Sequence, residues 1–235
     1  MTGIAAAELA GRGFTATPCL LSFERYKGWM ADIGQRYIMV NGTAWKGYAC
    51  CAWTHAALEG ARGLVHRHNI LVGEIAHIRV EAFHEGCGLG TGIPTTTEEA
   101  QFNLAWPLAV LLLDDEVGLQ QILEGRLDDE QVRDLASKVE LVEELYHLAS
   151  VGDPRGKYVS AVTISLKDGR RFASGVVEGG IKFPQGWNEE QVGKKFRWQT
   201  GFVLDKAQVD ELVEMVWNFE DVSDPRELSS LVAHR

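Results

Sequence analysis

Residues 159–178 constrain the fold more than any other stretch of the chain. Two strand-like runs, 159–166 and 171–178, flank Lys167-Asp168-Gly169-Arg170, and an Asp-Gly turn between such runs specifies a β-hairpin. Alternation puts Val162, Ile164 and Leu166 on its buried face. Residues 74–83 alternate in the same way, with Ala76, Ile78, Val80 and Ala82 on one side and His77, Arg79 and Glu81 on the other, so a half-buried strand is expected there. Residues 139–142 read as a further short strand.

Helical patterns surround these strands. Residues 4–9 are Ala-rich and stop at Gly11-Arg12-Gly13, and residues 24–33 form a second short helix. From His55 to residue 67, Leu58, Ala61 and Val65 share one face. Residues 98–113 read as one long apolar helix that Pro107 kinks or opens. Three segments have the capping-box form, an acidic or Asn cap followed three residues later by Gln: Asp128 with Gln131, Asn188 with Gln191, and Asp205 with Gln208. The last of these leads a helix with Val209, Leu212, Val213 and Val216 on one face, and residues 225–232 form a final short helix. This order predicts an α+β fold with an antiparallel sheet, not a doubly wound parallel one.

Composition narrows the function. The formal net charge is −10, from 23 basic and 33 acidic residues, which repels both a nucleic-acid backbone and an anionic membrane surface. A small anionic ligand then requires a local basic site. The apolar run 104–113 is far shorter than the roughly 20 residues of a membrane helix, and the N-terminus lacks the pattern of an export signal. Four cysteines, two of them adjacent, do not make a disulfide framework, so a reducing cytoplasm is expected.

One segment concentrates chemistry: Trp45-Lys46-Gly47-Tyr48-Ala49-Cys50-Cys51-Ala52-Trp53-Thr54-His55, just ahead of a helix start. A carboxylate would find there both a cation and free backbone N–H groups. Lys46, between Trp45 and Tyr48, is the candidate carboxylate ligand, against the plain reading of a solvated loop lysine. Cys50 or Cys51 would be an acid/base or nucleophilic thiol if Lys46 and the helix start lower its pKa; otherwise each is a small buried residue. His55 would orient a ligand or move a proton, or simply cap and pack the helix. His66 and His68 sit on different sides of a helix with no completing cluster, so no metal is expected. The glycines at 86, 88 and 90 lack the spacing of a phosphate loop and read as a turn.

Four pieces, in this order, together resemble the MmgE/PrpD family: residues 6–15; residues 45–57 with the core Lys46-x-Tyr48-x-x-Cys51-x-x-x-His55; Ala100-Gln101-Phe102-Asn103-Leu104 through Asp114; and Lys167-Asp168-Gly169 with Lys195-Phe196 downstream. Members of that family are dehydratases, decarboxylases and epimerases of di- and tricarboxylic acids, with an all-helical domain, an α+β lid and a return to helix. The resemblance covers the C-terminal half only. It implies trailing helices of a truncated helical domain in 1–44, the lid in 45–200 and returning helices in 201–235.

The resemblance further implies an active site between the two domains and no cofactor, with proton abstraction next to a carboxylate. Lys46 matches the family lysine that contacts the substrate carboxylate. Cys51 takes the place of a histidine of decarboxylase-like members, and Trp106 that of a tyrosine in the long helix. Cys51 and His55 are then the catalytic candidates, with Lys46, Tyr48 and Trp106 binding or walling the substrate. The expected partners are a small di- or tricarboxylate and either a second copy of the chain or a separate helical-domain chain, with no nucleic acid and no membrane. The competing reading is a non-catalytic truncated paralogue.

Overall fold

The computed structural model describes residues 2–35, 45–149, 157–179 and 188–232, and only the backbone of Tyr146. Residue 44, where the first expected segment ends, lies outside them. The chain forms two units, Met1–Gly42 and Thr43–Arg235.

In the first unit, α1 (Thr2–Gly11) is followed by 3-10 turns at Leu20–Ser22 and Glu24–Met30. The glycine stop of α1 is Gly13, at φ +84°, where Phe14 N–H bonds Leu9 C=O and Gly13 N–H bonds Ala10 C=O. This is a Schellman closure, which requires the left-handed conformation that glycine adopts at no steric cost.

The second unit holds α2 (His55–His68), β1 (Ile75–Ala82), α3 (His84–Cys87), α4 (Thr97–Gln101), α5 (Ala105–Asp114), α6 (Glu124–Leu127), α7 (Glu130–Ala136) and β2 (Val139–Glu143). The hairpin strands β3 (Tyr158–Leu166) and β4 (Arg171–Gly179) follow, then helices α8 (Glu189–Thr200), α9 (Lys206–Trp217) and α10 (Arg226–Val232). The fold is α+β, as expected. Among the described residues the sheet order is β2-β1-β3-β4.

One pairing corrects the expectation of an antiparallel sheet. β1 pairs antiparallel with β3, and β3 with β4, but β1 and β2 are parallel. The intervening helices α3 to α7 provide the crossover that a parallel pair requires. Ala76 is exposed while Ile75 is buried, because the register of β1 slips between Ile75 and His77. An extra residue at a bulge shifts the alternation by one.

The core lies between one face of the sheet and the helices α2 and α5. Leu58, Ala61 and Leu64 of α2 meet Ile78, Val80, Val162 and Ile164 of the sheet. From Ala105 to Leu111, α5 is almost wholly buried, as befits a helix apolar on every side. The expected single helix over 98–113 is two. The Asn103 side chain accepts the Trp106 N–H at 2.8 Å and donates to the Gly92 carbonyl at 2.7 Å, starting α5 afresh. Pro107 falls in the first turn of α5, where its missing N–H leaves no helical bond unmade.

The capping boxes at Asn188/Gln191 and Asp205/Gln208 form with both reciprocal bonds. At 128–131 the cap is instead Asp129, whose carboxylate accepts from the N–H groups of Gln131 and Val132, because Arg126 holds both Asp129 and Asp114. An Arg197–Asp210 bond of 3.1 Å joins α8 to α9. Among the described residues no helix is long and apolar enough to cross a membrane.

Candidate functional site

The segment 45–54 is fastened to the core through its backbone. Ala49 N–H bonds the Val117 carbonyl and Cys51 N–H the Gln101 carbonyl, each at 2.9 Å. Thr54 N–H and hydroxyl both bond the Cys51 carbonyl, closing a 3-10 turn at Ala52–Thr54 that leads straight into α2. The segment is therefore a rigid approach to the helix.

The charge of Lys46 acts on His55. Lys46 Nζ donates to the Cys50 carbonyl at 3.2 Å, and the backbone of Cys50 acts on the His55 ring in the direction that favours its protonated form. His55 is only 6% exposed, and its Nε2 has no hydrogen-bond partner among the described residues. Burial, reinforced by the charges of Lys46 and Lys195, lowers its pKa to about 4, so the imidazole is neutral at pH 7. Tyr48 sets its edge against the His55 ring, with centroids 5.2 Å apart.

The hydroxyl of Tyr48 donates to Glu59 Oε1 at 2.7 Å, and burial followed by that carboxylate raises the phenol pKa. Tyr48 thus holds His55 in place while its own polar atom is engaged elsewhere. Cys50 is buried against Thr54 Oγ1 at 3.1 Å, and burial pushes its thiol up to about 12. Activation by the helix start and Lys46 is absent at Cys50, because desolvation outweighs the nearby positive charge. Cys51 is half-buried.

The start of α2 is closed to a ligand, contrary to the expectation of free N–H groups there. Gly179, at the end of β4, abuts it so tightly that a Cβ would overlap the Ala56 nitrogen and stand 2.7 Å from the His55 carbonyl carbon. The positive character of the site therefore comes from side chains. Trp106 has no exposed surface, and its indole N–H donates to the Gln121 carbonyl at 3.3 Å. It presents neither surface nor donor to a ligand in this arrangement.

The structure adds Lys195, which the sequence reading noted only within the family resemblance. From α8, 149 residues away, its ammonium donates to the backbone carbonyl of Lys46. Partial burial, then the charge of Lys46, holds the Lys195 pKa below the usual lysine range. Nothing in the local pattern around Lys195 announces so distant a contact. Among the described residues no group of three or more His, Cys, Asp or Glu could hold a metal ion.

Comparison with known proteins identifies the chain's relatives. The MmgE/PrpD C-terminal domain matches residues 48–221. Two cis-aconitate decarboxylases of Aspergillus terreus, one from strain NIH 2624 / FGSC A1156, are 29% and 30% identical over 199 residues, covering 79% of this chain and 39% of each relative. The human cis-aconitate decarboxylase is 28% identical over 141 residues, 59% of this chain and 28% of its own. The chain thus spans about two fifths of the length of the fungal relatives it matches.

Proposed function

The chain belongs to the MmgE/PrpD family, and from that premise we propose that it serves lyase or isomerase chemistry on a di- or tricarboxylic acid. The reaction class is removal of a proton next to a carboxylate, followed by loss of water or return of the proton to the other face, or else loss of CO2 with delivery of a proton to the carbon that keeps the bonding electron pair. Lys46 binds the carboxylate and steadies the negative charge that develops on it as the proton leaves. A neutral His55 accepts a proton, which a protonated imidazole could not do. Cys51 supplies a second proton-transfer group from the same segment, and Tyr48 orients His55.

The observation that carries this reading is Lys46, bonded to the Cys50 carbonyl, acting by its charge on a buried, neutral His55. The relatives' decarboxylation of cis-aconitate makes that acid the first substrate to try. The protein is incubated with cis-aconitate or citrate in D2O and followed by proton NMR. New product signals or loss of carbon-bound protons, both abolished by Lys46→Met, are expected. Unchanged spectra together with no ligand line broadening would overturn the proposal.

A second reading is favoured by the lack of solvent access to His55 Nε2. In it the chain holds a carboxylate but turns it over only with a second copy or a separate helical-domain chain, and cytoplasmic carboxylate metabolism remains its setting. Line broadening without turnover would select it.

A further inference from the structure

We propose that Glu59 is a positioning residue for His55: its carboxylate holds the Tyr48 hydroxyl, and the Tyr48 ring in turn fixes the orientation of the imidazole. This role rests on the proton transfer assigned to His55 above. It belongs to a residue on the exposed side of α2 that lies outside the segment 45–55.

The geometry is a staple along one helical turn. His55 and Glu59 stand four residues apart in α2, a spacing that makes them neighbours on one side of the helix. Tyr48 spans both. Its ring meets the His55 ring edge to face, with centroids 5.2 Å apart at 87°, and its hydroxyl donates to Glu59 Oε1 at 2.7 Å. A tyrosine side chain turns about two bonds, so one contact on the ring and another at the hydroxyl select a single orientation.

The hydroxyl remains a donor, because burial and then the Glu59 carboxylate oppose ionisation of the phenol. A hydrogen bond to a carboxylate is of the stronger, charge-assisted kind. Arg62, three residues further along α2, is the neighbouring cation that would compete for Glu59. Asp115, just past α5, engages it instead, with Arg62 Nε 2.9 Å from Oδ1 and Nη2 3.2 Å from Oδ2. Glu59 is left to the phenol.

The alternative is that Glu59 merely satisfies the hydroxyl of a buried tyrosine and contributes only to stability. Side-chain NMR of 15N-histidine protein separates the two, with the His55 signals among seven histidines assigned through His55→Asn. Glu59→Ala and Tyr48→Phe should each shift the His55 ring signals, and the double variant should match Tyr48→Phe alone. Glu59→Gln, whose amide oxygen still accepts from the phenol, should keep the natural spectrum. With cis-aconitate, Glu59→Ala should lower kcat about tenfold or more, as a misplaced proton-transfer group does, and leave KM within about twofold. The amide spectrum checks the folding of each variant.

A lower urea midpoint in Glu59→Ala with unchanged His55 signals would assign Glu59 to stability alone and overturn the proposal. A further shift in the double variant would mean a route other than Tyr48 and overturn it too, as would an unchanged kcat in Glu59→Ala where the natural protein turns over substrate. If the natural protein shows no turnover but the His55 signals follow the predicted pattern, the reaction reading falls and the positioning of the imidazole by Glu59 stands.

Discussion

Gly179 lies against the backbone of Ala56, so the last residue of β4 seals the first turn of α2. This contact couples the hairpin, the helix and His55 in one place. With that turn sealed, the proposed carboxylate site draws its positive charge from side chains and not from the helix start.

Gly179→Ala should therefore destabilise the fold, because a methyl group would collide with backbone atoms that cannot rotate away. Overpacking of this kind costs about 1–3 kcal/mol. Urea unfolding should show a lower midpoint for Gly179→Ala. By contrast, Gly47→Ala, where a Cβ meets nothing within 4 Å, should leave the midpoint unchanged.

Stability should fall in mild acid through His55. Its pKa is about 4 in the fold against a usual value of 6.5, so between those values the unfolded chain binds the proton and the folded chain does not. Stability is then level above pH 6.5 and declines as pH drops toward 4, by up to about 3 kcal/mol. Urea midpoints from pH 7.5 to 4 should show this decline in the natural protein and a shallower one in His55→Asn.

The cysteines should separate under alkylation. Cys19 is exposed, Cys51 half-buried and Cys50 buried, with the Cys50 thiol pushed up to about 12. Mass spectrometry after iodoacetamide treatment at pH 7.5 should find Cys19 labelled first, Cys51 slowly and Cys50 only after unfolding. Citrate should slow the labelling of Cys51 and leave Cys19 unaffected. Rapid labelling of Cys50 would contradict its buried, hydrogen-bonded placement.

Trp106→Ala should act on stability and not selectively on ligand affinity. The side chain is fully buried in the core and its indole N–H is bonded to Gln121, so truncation leaves a cavity and an orphaned carbonyl. A loss of about 3–5 kcal/mol is expected from thermal or urea unfolding. Trp106→Phe should recover most of it.

The features legible in the sequence are those set by neighbours along the chain. The Asp-Gly hairpin, the caps at Asn188 and Asp205 and the inward row Val162, Ile164, Leu166 all follow from local turn and capping chemistry or from alternation. Local reading failed where a side chain intervened: Asn103 divides one apolar run into α4 and α5, and Arg126 helps move a cap from Asp128 to Asp129. It failed again where distant segments meet. The parallel pairing of β1 with β2, the seal of Gly179 on Ala56 and the reach of Lys195 to Lys46 depend on tertiary placement that no local pattern encodes. For the candidate site, residue types alone single out the segment 45–55. The split between an inert Cys50 and a neutral His55 depended on burial.

The most direct test of the account is calorimetric titration of citrate into the natural protein and into Lys46→Met at one ionic strength. Saturable binding that weakens by roughly 1.5–3 kcal/mol in Lys46→Met is the predicted result. Equal affinity in the two proteins would remove Lys46 from the site and contradict the carboxylate reading as a whole.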